Sequence, residues 1–486
     1  MSTAEHVDVL IIGAGLSGIG AAAKLTTEHP DRSYLLLERR QASGGTWDLF
    51  RYPGIRSDSD MFTLGYRFKP WTDDKALADG ASILRYVRET AEEYGVDQRI
   101  RYGQHVLGAD WDSDAKRWTV TADTDQGQVT YTCDFLWSCS GYYDYDSGYT
   151  PDFPGRDRFE GRIVHPQAWP EDLDYAGKRV VVIGSGATAV TLVPSLLPKD
   201  DPKAAGHVTM LQRSPTYILS VPSKDPLSGA LRKVLGPQRA YNVTRLKNIA
   251  QASALYTVSQ KQPKLVRAAI RRMTRRMLPD GYPVDVHFKP TYGPWDQRLC
   301  LVPNGDLFKV LREGRASVVT DTIETFTEKG ILLTSGEELE ADIIVTATGL
   351  NLLAFGGIQL TLDGEKVHLP ETMAYRALML SDVPNFAYTI GYTNASWTLK
   401  ADLVAEFVCR VLAHMDATGA RVVTPPRDPS VAEEPFMDFE AGYVLRSIDQ
   451  LPKQGDVEPW KLKQSYFHDV RSIRKADVAD GVLRFS

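Results

Sequence analysis

Residues 7–18 read VDVLIIGAGLSG, and this stretch decides the fold. The apolar run 7–12 leads into three spaced glycines, and the alanine-rich segment 16–25 overlaps and follows them. This order predicts a strand buried on both faces, a tight turn and a helix. Gly13 permits the turn, Gly15 lets a pyrophosphate approach the backbone at the helix N-terminus, and Gly18 allows the helix to pack closely on the strand.

A second predicted strand, residues 33–37, leads into Glu38. A carboxylate at the end of that strand is placed to accept hydrogen bonds from ribose hydroxyls. A glycine-rich turn alone is weak evidence, because such turns also cap ordinary helices; here the strand, the helix and the acid occur in the required order. Residues 7–38 therefore predict a dinucleotide-binding unit.

The same pattern recurs at residues 178–189, which read KRVVVIGSGATA. The residues of this second turn are Gly184, Gly186, Ala187 and Thr188. The strand that follows the helix ends at Arg213, which could bind a 2′-phosphate that an acid would repel. The sequence therefore predicts NADPH at the second unit, with a solvated arginine as the alternative interpretation. Two nucleotide units in one chain imply a flavin, FAD, working with a nicotinamide.

The length of 486 residues predicts two or three lobes. Period-two alternation at 118–122 and 130–132 predicts a small antiparallel insertion, and two similar return strands close at Gly141 and Gly349. We expect an α/β fold with two Rossmann-like dinucleotide-binding domains. The FAD domain is discontinuous, over residues 1–145 and 335–486 with the C-terminal region. The NADPH domain, 146–334, is inserted into it and carries a helical insertion of its own.

Composition excludes several classes of protein. The chain is 43% hydrophobic and 24% charged, and no apolar run approaches the ~18 residues that a membrane span needs. Its four scattered cysteines favour a reducing compartment, so we expect a cytoplasmic enzyme without a disulfide framework or a metal site. The net charge of −6 argues against nucleic acid as a partner.

A basic helical insertion is predicted at about residues 221–290. Its basic residues over 221–280 face only Asp225 and Asp280 in that stretch. They are Lys224, Arg232, Lys233, Arg239, Arg245, Lys247, Lys261, Lys264, Arg267, Arg271, Arg272, Arg275 and Arg276. Three interpretations stay open: a solvated helix face, electrostatic steering of NADPH, and weak peripheral contact with an anionic membrane surface.

Between the two units lies a run whose spacing is that of F-x-G-x-x-x-H-x-x-x-W-P. Its matching residues are Phe159, Gly161, His165, Trp169 and Pro170. With this motif the chain resembles the type I Baeyer–Villiger monooxygenases, a group of class B flavin monooxygenases. Passages such as 51–60, 294–305 and 391–397 are similar to the ethionamide-activating subgroup, and the resemblance covers nearly the whole chain.

The resemblance implies a mechanism and a set of site residues. NADPH reduces FAD, O2 forms a C4a-peroxyflavin, and this attacks a ketone to give an ester or a lactone. Arg298 matches the active-site arginine, and Asp58 matches the acid that pairs with it; an interdomain salt bridge is the alternative role for this pair. Gly45, Thr46 and Trp47 are expected beside the flavin ring.

The signature run is expected to act indirectly, because it lies in the linker between the nucleotide lobes. For His165 the alternative is a packing role only, and for Trp47 an ordinary core position. Many members of the family have a lysine where this chain has Gln297, so NADPH preference is expected to depend on Arg213 alone. The natural substrate does not follow from the resemblance.

Rival functions follow from the same features. Heteroatom oxygenation would use the same cofactors on organosulfur compounds or amines, and the ethionamide-type resemblance implies that thioethers and thioamides are accepted. A disulfide reductase would need a redox pair, for which the candidates are Cys133 and Cys139, which bracket a predicted buried strand. The remaining alternative is a non-catalytic nucleotide-binding or redox-sensing module.

Overall fold

The computed structural model describes residues 4–297, 299–437 and 442–486. A nine-stranded sheet forms the first lobe. Its centre is parallel, and the strands in spatial order are Phe386–Tyr388, Gly127–Ser138, Glu5–Ile12, Tyr34–Leu37 and Ile100–Arg101. Along Glu5–Ile12, Val9 and Ile11 pack into one core cluster, whereas Leu10 and Ile12 pack into the cluster on the opposite face. The apolar run at 7–12 is therefore buried on both sides, as its composition predicts.

The predicted antiparallel insertion extends this sheet. The first half of Gly127–Ser138 pairs with Arg117–Thr124, which pairs in turn with His105–Asp112. Two further strands, Gln359–Leu362 and Glu365–Lys366, complete that edge. The parallel strands have a core cluster on each face. The helices Leu16–Glu28, Gly80–Glu93 and Trp397–Thr418 contribute to the cluster that holds Val9 and Ile11, and the antiparallel strands contribute to the cluster on the other face.

A five-stranded parallel sheet forms the second lobe. Its strands in spatial order are Ala316–Thr320, His207–Gln212, Arg179–Ile183, Ile343–Thr346 and Arg162–Val164. The helices Ala187–Ser195, Val284–His287 and Asp306–Arg312 contribute to its core. A three-stranded antiparallel sheet, Ile323–Phe326, Gly330–Leu333 and Glu338–Glu340, packs beside it.

The return strand Ile343–Thr346 lies in the second sheet, whereas the sequence placed everything from residue 335 with the first lobe. All four of its residues are buried, and it lies between two parallel neighbours. The motif predicts a buried strand but does not specify the sheet, because the corresponding strand of the first lobe, Gly127–Ser138, has a similar ending. The chain rejoins the nine-stranded sheet only at Gln359–Leu362.

Two connections between the lobes run side by side. The outgoing strand Tyr143–Gly148 pairs antiparallel with the returning strand Leu350–Leu352, and Gly148 lies opposite Leu350. We call these two strands the paired linkers.

The stretch predicted as a basic insertion contains the helices Ser228–Leu235, Pro237–Lys261 and Pro263–Met277. It leaves the second lobe after Ile218–Val221 and returns before Cys300–Pro303, and these two strands pair with each other. Among the described residues, no helix combines the length and the apolar character that a membrane crossing requires.

The remaining elements are short. The helices are Thr46–Leu49, Met61–Leu64, Gly442–Leu445 and Tyr466–Asp469, with 3₁₀ turns at Asp97–Arg99, Arg156–Arg158, Pro166–Ala168, Ala354–Gly357, Leu369–Glu371 and Ile448–Gln450 and a π-helical turn at Val470–Arg474. The strand pairs are Ala374–Tyr375 with Met379–Leu380, Val423–Thr424 with Arg484–Phe485, and Glu433–Pro435 with Lys453–Gly455.

Candidate functional site

One cavity of about 1040 Å³ lies between the lobes and is lined by both glycine-rich turns. Nearly all of the predicted nucleotide-binding residues lie in its wall. They are Gly13, Gly15, Glu38, Gly45, Thr46, Trp47, Asp58, Gly141, Gly184, Gly186, Ala187, Thr188, Arg213 and Gly349. Gly18 is not in the wall, because it packs against the turn: a Cβ there would lie 1.9 Å from the carbonyl oxygen of Gly13.

The first turn is shaped to admit a phosphate. Gly13 has φ +99°, and a Cβ there would come within 2.7 Å of the Cys139 carbonyl oxygen. The helix Leu16–Glu28 starts after Gly15 with no side-chain cap and no acid in its first turn. Its first N–H groups are thus left for an anion on the cavity side.

Glu38 closes the ribose end of this site. Its carboxylate accepts hydrogen bonds from the backbone N–H groups of Ala14 at 2.8 Å and Arg40 at 2.9 Å. Burial raises the pKa of the Glu38 carboxyl, and these two donors act in the opposite direction. The carboxylate oxygens keep lone pairs with which they could accept from ribose hydroxyls.

The second turn repeats this geometry. Gly184 has φ +132°, and a Cβ there would lie 2.3 Å from the Ala347 carbonyl oxygen. The helix Ala187–Ser195 starts after Gly186 without a side-chain cap, and a Cβ on Gly186 would meet no atom within 4 Å. Arg213 is exposed in the cavity wall just after the strand His207–Gln212. These residues fit a dinucleotide that carries a 2′-phosphate.

The Gly44–Gly45 segment packs on the first turn. A Cβ on Gly45 would lie 2.9 Å from the Cα of Gly15, and the Gly44 N–H donates to the Ala14 carbonyl at 2.9 Å. Thr46 Oγ1 lies 3.4 Å from the Tyr145 hydroxyl. Gly45, Thr46 and Trp47 are therefore next to the first nucleotide turn, where the resemblance places the flavin.

Asp48, which was not among the predicted site residues, supports this segment. The side chain is buried and forms ion pairs with Arg40 at 2.6 Å, Arg88 at 2.8 Å and Arg51 at 3.2 Å. Arg88 comes from the helix Gly80–Glu93 and also donates to the Ser43 carbonyl. Only the acid beside the Gly-Gly-Thr-Trp run offered a sequence signal, because Arg88 lies far along the chain.

Residues 52–56 connect the two lobes through side-chain and backbone contacts. The Tyr52 hydroxyl lies close to Thr188 of the second turn, and burial raises the pKa of Tyr52 to about 12. A Cβ on Gly54 would lie 1.8 Å from Ser195 Oγ on the second-lobe helix. Arg56 pairs with Asp306 at 2.6 Å. The Tyr-Pro-Gly run thus contacts the second lobe at three successive points.

Asp58 follows directly and lies in the cavity wall. Its expected partner, Arg298, lies outside the described residues. Gln297 and Cys300, on either side along the chain, both line the cavity.

The signature run lies away from the cavity wall. His165 Nε2 is 3.2 Å from the Gly349 carbonyl oxygen, and its Nδ1 accepts from the Gln167 N–H at 3.2 Å. A Cβ on Gly148 would lie 1.9 Å from the His165 ring. The imidazole therefore contacts the end of one paired linker and the residue just before the other, and its burial lowers its pKa.

The other signature residues have packing contacts in the second lobe. Phe159 is buried in the core beside the three-stranded sheet, and a Cβ on Gly161 would lie 2.4 Å from its ring. Trp169 packs partly into the second-lobe core, and Pro170 accepts a turn hydrogen bond from the Leu173 N–H.

Aromatic side chains that were not among the predicted site residues form part of the cavity wall. Trp397 stacks on Tyr142 with ring centroids 5.0 Å apart, and its indole N–H donates to Ser17 Oγ at 2.7 Å. Both rings line the cavity together with Tyr392. Three aromatic side chains give this part of the cavity an apolar surface suited to an uncharged substrate.

The cysteines do not form a redox centre. No disulfide joins any of the four cysteines, all of which the structure describes, and Cys133, Cys139, Cys300 and Cys409 are all buried. Burial raises the pKa of the Cys139 thiol to about 12 and that of Cys133 further. A thiolate is disfavoured at both positions, which argues against the disulfide-reductase alternative.

Comparisons with known proteins agree with this geometry. The chain matches the flavin-binding monooxygenase-like family over residues 66–356 and the NAD(P)-binding Rossmann-like domain over residues 11–73. It is 58% identical to the FAD-containing monooxygenase EthA of Mycolicibacterium smegmatis, over 99% of this chain and 97% of that protein.

Solved structures share the fold. A steroid monooxygenase bound to NADP superposes with a TM-score of 0.75 at 22% identity, over 99% of each chain. Cyclohexanone monooxygenase superposes with a TM-score of 0.76 at 20% identity, over 99% of this chain and 100% of the other.

Proposed function

The chain belongs to the flavin-binding monooxygenase-like family, and on that premise we propose that it inserts one oxygen atom of O2 next to the carbonyl of a ketone, giving an ester or a lactone. It is an FAD- and NADPH-dependent monooxygenase. When bound, reduced FAD supplies the activated oxygen and NADPH supplies the hydride.

One observation carries the proposal. The complete Baeyer–Villiger signature is present, and its histidine, His165, contacts Gly148 in one paired linker and Gly349 just before the other. The two nucleotide turns meet in one cavity, so the angle between the lobes sets the distance between the two cofactors. A side chain at the linkers is well placed to influence that angle without touching substrate.

The chemistry requires a positive charge near the reacting oxygen. Oxygen insertion passes through an anionic adduct of the carbonyl, which a fixed cation stabilises. We assign this role to Arg298 and assign to Asp58 the role of orienting it. Support comes from the match to the family and from the positions of Asp58, Gln297 and Cys300 in the cavity wall.

Each nucleotide site is assigned on its charge. Glu38, with two backbone donors already bound, is suited to ribose hydroxyls and would repel a phosphate. Arg213 is exposed at the corresponding position of the second unit and would attract one. We therefore place FAD at the first turn and NADPH at the second.

Oxygenation of sulfur or nitrogen in thioethers, thioamides or amines is the second candidate. Two observations support this second candidate: the chain is 58% identical to EthA over nearly its whole length, and it resembles the ethionamide-activating enzymes. A sulfur lone pair attacks oxygen directly and needs no stabilised carbonyl adduct, so this reaction depends less on a fixed cation.

Product analysis with the purified, FAD-loaded enzyme tests the proposal. Linear and cyclic ketones and thioethers of the same shape are offered with NADPH and isotopically labelled O2. We expect an ester or lactone that carries one labelled oxygen atom. Turnover of the thioethers with every ketone left unchanged would overturn the ketone assignment and support the second candidate.

A pair of arginine variants tests the assigned roles. Arg298→Ala should keep NADPH-dependent flavin reduction while losing ester formation. Arg213→Ala, the matched control, should weaken NADPH use and leave the ratio of ester to NADPH consumed unchanged. Ester yield retained in Arg298→Ala would show that the charge comes from elsewhere.

A further inference from the structure

Exposed apolar side chains concentrate in the helical insertion. Among the described residues, 13 large hydrophobic side chains are exposed, and eight of them lie between Leu227 and Val286. Val234 is 81% exposed, Leu265 63% and Leu246 59%. Scattered single residues of this kind need no explanation, but this many in one insertion do.

On the helix Pro237–Lys261 they form a stripe. Val243, Leu246 and Val258 are exposed, and the exposed Ala250 and Ala254 fill the spacing between them at three- and four-residue intervals. Residues at these intervals share one helix face. The opposite face already has its partners, since Tyr241, Arg245 and Ile249 are buried there.

Basic side chains lie at both ends of the stripe and on the helix that follows. Arg239 and Lys261 are exposed near its two ends, and Lys264, Arg272 and Arg276 are exposed on the next helix. Two of the three acids in residues 221–290 already have partners: Asp225 pairs with Lys247, and Asp285 pairs with Arg271 and Arg275. Over the described residues, none of the five exposed cations has an acidic side chain within ion-pair distance.

The charge of the insertion opposes that of the chain. Residues 221–290 hold fourteen Lys and Arg against three Asp and no Glu, whereas the whole chain has a net charge of −6. An exposed apolar stripe between cations matches a surface that is anionic outside and apolar just beneath.

We propose that this surface, formed by Val243, Leu246, Val258, Arg239 and Lys261, binds the face of an anionic phospholipid bilayer. The apolar side chains enter the headgroup boundary, and the cations contact lipid phosphates. A second copy of the chain fits less well, because two such surfaces would bring like charges together. Steering of NADPH would use the cations but leaves the apolar stripe without a role.

The inner face of the same helix contacts the cavity wall. Ile249 packs in one cluster with Tyr392 and Leu399, and Tyr392 lines the cavity. Asn248 donates to the half-buried Asp60 at 2.8 Å. A bilayer bound at the outer face would therefore lie one helix diameter from the wall of the site.

Vesicle cosedimentation of the full-length, FAD-loaded enzyme tests the proposal. We expect pelleting with vesicles that contain phosphatidylglycerol, weak pelleting with phosphatidylcholine alone, and release at high salt. Arg239→Ala with Lys261→Ala should weaken vesicle affinity by about tenfold or more. Val243→Ser with Leu246→Ser should weaken it at low salt, although neither change removes a charge.

Matched controls come from the antiparallel edge of the nine-stranded sheet, outside the helical insertion. Leu107→Ser and Lys366→Ala change an exposed apolar and an exposed basic residue there and should leave pelleting unchanged. Flavin content and circular dichroism confirm that each variant is folded. Absence of pelleting with the anionic vesicles would overturn the proposal.

Two further outcomes would also overturn it. The first is pelleting that the stripe variants leave intact. The second is a concentration-dependent dimer, seen by light scattering without lipid, that the stripe variants abolish; the surface would then bind a second copy. A kcat/KM for NADPH that falls only in the charge variant, with no pelleting in any variant, would assign the cations to steering.

Discussion

Replacing Arg245 by methionine is expected to lower the free energy of unfolding by about 3–5 kcal/mol. Arg245 lies on the inner face of the helix Pro237–Lys261 and is 4% exposed. Its guanidinium donates to the carbonyls of Phe62 at 2.9 Å and Gly65 at 2.6 Å, and to Asp402 at 2.7 Å. It thus anchors the insertion to the first lobe.

The size of this loss in unfolding free energy follows from the buried carboxylate that Arg245→Met leaves without an ion-pair partner. Asp402 is buried, burial raises its pKa to about 6, and its remaining donor is the Arg67 N–H at 3.1 Å. Its charge would lose its only ion-pair partner among the described residues. Arg232 provides the matched control, because its pair with Asp74 is exposed and should be worth below about 1 kcal/mol.

Urea unfolding followed by circular dichroism measures the difference, and hydrogen exchange across Pro237–Lys261 locates it. The double variant Arg245→Met, Asp402→Leu should recover much of the loss, since no buried charge then lacks a partner. If Arg245→Met cost no more than Arg232→Met, the reasoning about a buried anchor would be refuted.

Other predictions concern the linkers and the nucleotide sites. Gly148→Ala should destabilise by about 1–3 kcal/mol through its clash with His165, measured by thermal unfolding, and His165→Ala should relieve it. Because burial lowers the pKa of His165, the unfolded state binds its proton first, so stability should fall as pH drops below about 6.5; His165→Asn should flatten that fall. Glu38→Gln should weaken FAD binding roughly tenfold or more, measured by flavin titration of apoenzyme. Arg213→Gln should reduce the NADPH-to-NADH ratio of kcat/KM roughly tenfold or more; an unchanged ratio would place selection elsewhere.

Local patterns predicted much of the fold. The turns at Gly13 and Gly184 require positive φ and close backbone approach, so the glycines themselves report the geometry. The two return strands are followed directly by Cys139 and Ala347, and the carbonyl of each lies beside one of these turns. The sequence shows that the two return strands correspond, but their similar endings do not show which sheet Ile343–Thr346 joins.

Long-range contacts had no comparable signal. Arg245 was one of thirteen basic residues in its stretch, and nothing local distinguished the buried one from the exposed ones. Its partner Asp402 lies 157 residues away. The contacts of Tyr52 with Thr188 and of Arg56 with Asp306 likewise depend on how the two lobes meet. Periodicity describes single elements, so it could not predict these pairs.

The paired linkers have a consequence for how such a protein could arise. The second lobe leaves the first at Tyr143–Gly148 and returns at Leu350–Leu352, and these ends are hydrogen-bonded neighbours. A module whose entry and exit coincide can be spliced into a host surface loop without pulling the host apart. The two ends together also act as a double-stranded strap, which resists twisting more than a single tether and leaves bending across its plane as the easier motion.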